Sequence, residues 1–212
     1  GRGDGLGEYE YAEAVLEAGF WIPSGTFGSM PRIVTFQPAS SLLMDMSLLW
    51  VFKLVHPILF VTVSLITYVL TARYFSKDIA FLSATLYVFL PRTYQIISRN
   101  TRTGGAIMFT AFLLLVILNT DLPTRLRQLL IITFFSGVLM SHYGVSTLLI
   151  FGLGVAYAAN LLSAYLLADK RPSLLSVGDI ALFGGLFTFW YLFMTDGVYG
   201  LLVDAFFGQI PN

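Results

Sequence analysis

The chain has no cysteine, which excludes disulfides and thiolate metal sites. It has two histidines, too few for a dedicated zinc cage. Charge is scarce: 11% of its 212 residues are Asp, Glu, Lys or Arg, against about 25% in a soluble domain. Twelve cations cancel twelve anions, so there is no basic field to hold nucleic acid. No internal repeat is visible. Gly25-Thr26-Phe27-Gly28-Ser29 has no strand before it, so it is neither a dinucleotide fingerprint nor a phosphate loop.

What the chain has is apolar surface. Hydrophobic residues make up 57% of it, aromatics 16%, and the mean hydropathy is +0.79. Such a chain cannot keep its surface wet. It predicts an all-α, polytopic membrane bundle. Segments approaching the length of a span lie at 57–74, 79–97 (interrupted by Pro91 and Arg92), 104–118, 129–143, 145–167 and 177–194, giving about six transmembrane helices. The stretch 40–55 is apolar at helical spacing but carries Asp45 and Lys53, which predicts an amphipathic helix lying at the interface. Residues 1–55 are then a first loop, 56–196 the bundle, and 197–212 the start of another loop. With no initial Met and no closing element, the chain reads as a fragment, with a further span expected before Gly1.

Cation placement predicts orientation. Arg73 with Lys77, Arg125 with Arg127, and Lys170 with Arg171 fall in alternate short loops, which belong on the cytoplasmic side. The amino-terminal loop, 94–103, 141–144 and the residues from Thr195 onward then face outside. Arg92, Arg99 and Arg102 disobey the rule. Either they snorkel to lipid headgroups or they bind an anion. Three within a dozen residues, on the side of the acidic loop, favour an anion site.

Carboxylates are concentrated as well. Five of the twelve, Asp4, Glu8, Glu10, Glu13 and Glu17, lie in the first seventeen residues. On a helix, Asp4 and Glu8 share a face. Such a pair can act as a general base, bind a divalent cation, or cap and solvate a helix. Glu13 and Glu17 fit an amphipathic surface helix ended by Gly19. His142, beside Tyr143 at the outward end of the fourth span, reads as a capping or interfacial residue, or as a donor to phosphate or sugar or a metal ligand. His56, next to Pro57, reads as a helix-start residue without a role. Gly104-Gly105 and Gly184-Gly185 predict close helix packing. Trp21, Trp50 and Trp190 read as interface anchors or core. Tyr9 and Tyr11 suit aromatic packing better than stacking on a sugar.

The run Glu8-Tyr9-Glu10-Tyr11-Ala12-Glu13, followed by Gly19-Phe20-Trp21-Ile22-Pro23, resembles the first extracytoplasmic loop of GT-C superfamily glycosyltransferases. The closest pattern is that of the protein O-mannosyltransferases and lipid A aminoarabinose transferases, and the later chain also resembles a group of archaeal multi-pass proteins of that superfamily. Ser141-His142-Tyr143 and the Arg-rich turn before Gly104 extend the likeness. Gly7 stands where the family has Asp, while Asp4 lies one turn earlier. The resemblance implies transfer of a sugar from a polyprenyl-phosphate donor to a glycan, lipid or protein acceptor at the extracytoplasmic face. Asp4 and Glu8 would be the catalytic carboxylates, or the holders of a divalent cation. Arg92, Arg99 and Arg102, with His142 and Tyr143, would bind substrate. The alternative is a multi-pass transporter or lipid flippase without glycosyl transfer. Cysteine placed at Leu6 is expected to react with an impermeant thiol reagent from outside intact cells; reaction only in inverted vesicles would reverse the topology.

Overall fold

The computed structural model describes residues 4–21, 28, 30–99, 101–167 and 175–194. Among them there is no strand. The first helix, α1, spans Asp4–Ala18. It stops where expected, at Gly19, whose φ of +74° belongs to the left-handed region that glycine enters freely. A π-helical turn at Arg32–Phe36 leads into α2, Gln37–Leu43.

Next comes α3, Leu48–Thr71, a continuous 24-residue helix with a π-turn at Val51–Val55. The single interfacial helix expected over 40–55 is therefore two pieces. Asp45 takes a φ of 48° and Ser47 is extended, so the chain turns between α2 and α3. Asp is one of the few residues that tolerates this conformation. Asp45 lies exposed in that turn, and Lys53 lies exposed on α3 itself.

The apolar run 79–97 also divides. Helix α4, Lys77–Phe89, is capped by Ser76, whose side chain accepts from the Ile79 amide. Leu90 is extended (ψ 128°), as the residue before a proline is pushed to be, and Pro91 opens α5, Pro91–Arg99. The remaining helices are α6, Thr101–Ile117, α7, Thr124–Leu139, α8, Tyr143–Leu167, and α9, Val177–Met194. The start of α9 carries a reciprocal capping box between Ser176 and Asp179.

Helices α3, α8 and α9 are long and apolar enough to cross a bilayer. Helix α6 is a shorter apolar helix, and α4 and α7 have 13 and 16 residues. Large apolar side chains line the outside. Ile58, Val61 and Leu65 of α3, and Leu148, Phe151 and Val155 of α8, are all more than half exposed. Contiguous apolar surface of this kind suits a hydrocarbon solvent.

The bundle packs α6 against α7 and α3, and α3 against α4. A second core joins α7, α8 and α9, with the Phe135 and Phe183 rings 4.4 Å apart. Nearby, the Tyr191 hydroxyl lies 2.9 Å from Ser146 Oγ and donates to the Leu139 carbonyl at 3.0 Å. Gly137 allows close packing: a Cβ there would lie 2.7 Å from the Phe109 ring. Gly184 and Gly185 have open space around them, so the close packing expected there does not occur.

The two ends of the bundle differ. At one, Arg73 and Arg127 donate to the carbonyls of Leu118 and Ile117, closing the carboxyl end of α6. At the other, α1 packs near the start of α6 and the Arg32 amide donates to Met140 at the end of α7 (3.3 Å). Arg73 and Arg127 and the acidic helix thus gather at opposite ends, while Lys170 and Arg171 lie outside the described residues. Gly137→Ala is expected to lower the midpoint of thermal unfolding in detergent, an overpacking cost of about 1–3 kcal/mol. Gly152→Ala, where a Cβ meets nothing within 4 Å, serves as the neutral reference; equal midpoints for the two would contradict the packing described.

Candidate functional site

Helix α1 is amphipathic in an unusual way. Its inner stripe is Glu8, Ala12 and Val15, spaced by four and three residues. Ala12 and Val15 pack with Met30, Ile33 and Leu48. Glu8, on the same stripe, is completely buried. A buried carboxylate needs a counter-charge and hydrogen bonds. Both come from Arg102 in the first turn of α6. Its Nε lies 3.2 Å from Oε1, and its backbone N–H donates to Oε2 at 3.3 Å. The amino end of a helix carries unpaired amides and a partial positive charge, so a carboxylate there is doubly favoured.

A second guanidinium stands beside this pair. Arg32, the first residue of its π-turn, is buried, and its Nη2 lies 3.3 Å from His56 Nδ1. Burial pushes the Arg32 pKa down to about 10, and the nearby Glu8 charge works against that fall. His56 directly follows the π-turn inside α3 and is also buried. Its Nε2 has no hydrogen-bond partner among the described residues. The space for both side chains comes from α6. A Cβ on Gly104 would lie 2.8 Å from His56 Nε2, and one on Gly105 would collide with the Arg32 guanidinium. The close approach expected at Gly104-Gly105 is real, but side chains use it rather than a second helix backbone.

The structure therefore brings together Glu8 and Arg102 and adds Arg32 and His56, which sequence reasoning missed. His56 opens the regular α-helical part of α3, as expected, but that part follows directly on the π-turn, and α3 as a whole begins eight residues earlier, at Leu48. Arg92 does not join the cluster. It is exposed on α5 and donates to Gln95 of its own helix at 3.4 Å. Asp4 lies one turn before Glu8 in α1 and Arg99 closes α5, but their side chains fall outside the described residues. His142 caps α8: its Nδ1 accepts from the amides of Gly144 at 3.0 Å and Val145 at 3.4 Å. Tyr143 stacks on His142 and packs against the core beneath α1. Tyr9 packs edge-on to Phe52 and donates to Glu13, and burial followed by that contact raises its phenol pKa. Glu13 and Glu17 are exposed, as a surface helix requires.

A divalent cation at Glu8 does not fit this surrounding. The nearest charged groups are guanidiniums, and among the described residues no three His, Cys, Asp or Glu converge.

The Glu8–Arg102 pair yields a test. Arg102→Met strands a buried carboxylate and is expected to cost about 3–5 kcal/mol, whereas Glu8→Gln with Arg102→Met costs less than the two single changes added together. Thermal unfolding of the four proteins in detergent measures this; strict additivity would show that the pair is not coupled.

The chain matches no known protein family, no curated protein and no solved structure.

Proposed function

We propose that the chain is the membrane part of a GT-C-type glycosyltransferase, which moves a sugar from a polyprenyl-phosphate donor to an acceptor at the extracytoplasmic face. One observation supports this above the others. Glu8 and Arg102, 94 residues apart in sequence, meet as a buried ion pair where an acidic helix docks on one end of an apolar bundle. Ionised groups held in apolar surroundings are costly, and sites are where that cost is tolerated.

The chemistry asks for what this end of the bundle provides. The acceptor nucleophile needs a carboxylate to take its proton, and Asp4 and Glu8 of α1 are the candidates. The leaving group is a lipid phosphate, whose growing charge needs cations already in place. Arg102 and Arg32 are positioned inside the cluster, while Arg92 and Arg99 lie on the adjoining α5. The shorter helices α4, α6 and α7 complete about six spans in this reading, and the grooves between helices receive the polyprenyl tail. A transporter would string ionisable groups across the midplane. Here the buried pair sits at the first turn of α6.

The intact protein incubated with radiolabelled polyprenyl-phosphate sugars is expected to transfer label to an acceptor fraction. Asp4→Asn and Glu8→Gln, expressed to the same level, are each expected to cut that transfer by about 100-fold or more. Full turnover in both variants would remove these carboxylates from the chemistry.

A further inference from the structure

Glu8 occupies an anion site. Its two oxygens meet the Nε of Arg102 and the backbone N–H of the same residue, at the opening turn of a 17-residue helix. That is the arrangement by which helix termini and arginines hold phosphate. A second, independent observation points the same way. His56, only 2% exposed, lies against this turn at Gly104 with its Nε2 lacking a hydrogen-bond partner among the described residues. Exposure is also uneven across the ion pair. The Arg102 side chain keeps 11% of its surface while the Glu8 side chain keeps none.

We propose that Glu8 is an internal stand-in for a phosphate group, and that binding of a phosphate at the start of α6 displaces Glu8 from Arg102. This rests on the glycosyltransferase reading and deepens it. While Glu8 is held by Arg102 and closed off from solvent, it cannot reach an acceptor. Phosphate is the better ligand for the planar guanidinium fork, because it offers more acceptor oxygens and more charge. Exchange would couple the two halves of the reaction: the carboxylate becomes free for the acceptor only when the phosphate of the donor is seated. Arg32, beside Glu8 and held by His56, supplies a second guanidinium for the incoming group.

The test is a binding measurement on detergent-solubilised protein. Its probes are undecaprenyl phosphate, undecaprenol as the uncharged control, and inorganic phosphate. Removing the internal competitor with Glu8→Gln is expected to tighten binding of the lipid phosphate by about tenfold or more, and Arg102→Gln to weaken it by a similar factor. Unchanged or weaker binding in Glu8→Gln, or no phosphate binding by either protein, overturns the exchange. The native protein provides a measurement that needs no variant. Carbodiimide labelling of Glu8, mapped by mass spectrometry, is expected to rise when undecaprenyl phosphate is added; no rise, or protection, overturns the proposal. A response to inorganic phosphate as large as that to the lipid supports exchange with a free phosphate and counts against a lipid-linked donor. Sugar transfer that persists when Glu8→Gln binds no more tightly overturns the exchange alone.

Discussion

The docking of the amino-terminal segment depends on one buried ion pair. Helix α1 has little apolar surface of its own, because Ala12 and Val15 are the chief hydrophobic residues it buries. What fixes its register on the bundle is Glu8 closing onto Arg102. A buried pair of this kind contributes little net stability, since desolvation of both ions offsets much of their attraction. It does penalise every alternative placement. Sliding α1 by one residue would leave a carboxylate and a guanidinium buried apart. The segment that follows is then fixed from the other side, where the Arg32 amide meets Met140 and its guanidinium meets His56.

Backbone irregularities gather around the same place. Two of the π-turns adjoin the cluster: one begins at Arg32, and the other ends one residue before His56. Turns of this type re-phase a helix by widening it locally, and they concentrate at functional sites. Gly104 and Gly105 are a third concession, because a helix interior loses stability through glycine. Alanine at either position would drive His56 or Arg32 out of its seat. These three concessions, two π-turns and a glycine pair, thus serve a few side chains. Local inconsistency of that kind is what a sequence shows when a site overrides foldability.

Much of the architecture was legible in hydropathy. The last span, 177–194, coincides with α9, and the proline break within 79–97 separates α4 from α5. The stretch 40–55 was not, because a single left-handed aspartate outweighs sixteen residues of helical spacing. Within the site, Glu8 and Arg102 stood out because charge is rare in this chain and both broke its pattern. Arg32 and His56 left no such mark. A lone arginine after proline and a histidine inside an apolar run have no spacing that ties one to the other, and only the fold brings them to 3.3 Å. Arg92 shows the converse: it shares a sequence cluster with Arg102, yet helical phase turns it outward to Gln95.

Depth gives the cluster its meaning. From His56 to the end of α3 there are 16 residues, which rise about 24 Å. From Thr101 to the end of α6 there are 17, which rise about 26 Å. Both helices therefore run from the cluster to the basic end of the bundle over a distance slightly short of the roughly 30 Å hydrocarbon core. In the proposed membrane reading, this length places the guanidiniums of Arg32 and Arg102 where hydrocarbon gives way to headgroups. Helix α3 continues eight residues beyond His56, from Leu48 to Val55, and forms a wall against which Tyr9 and the α1 core pack. Under the proposed function, a phosphate carried on a membrane lipid would meet these arginines at this height without leaving the bilayer.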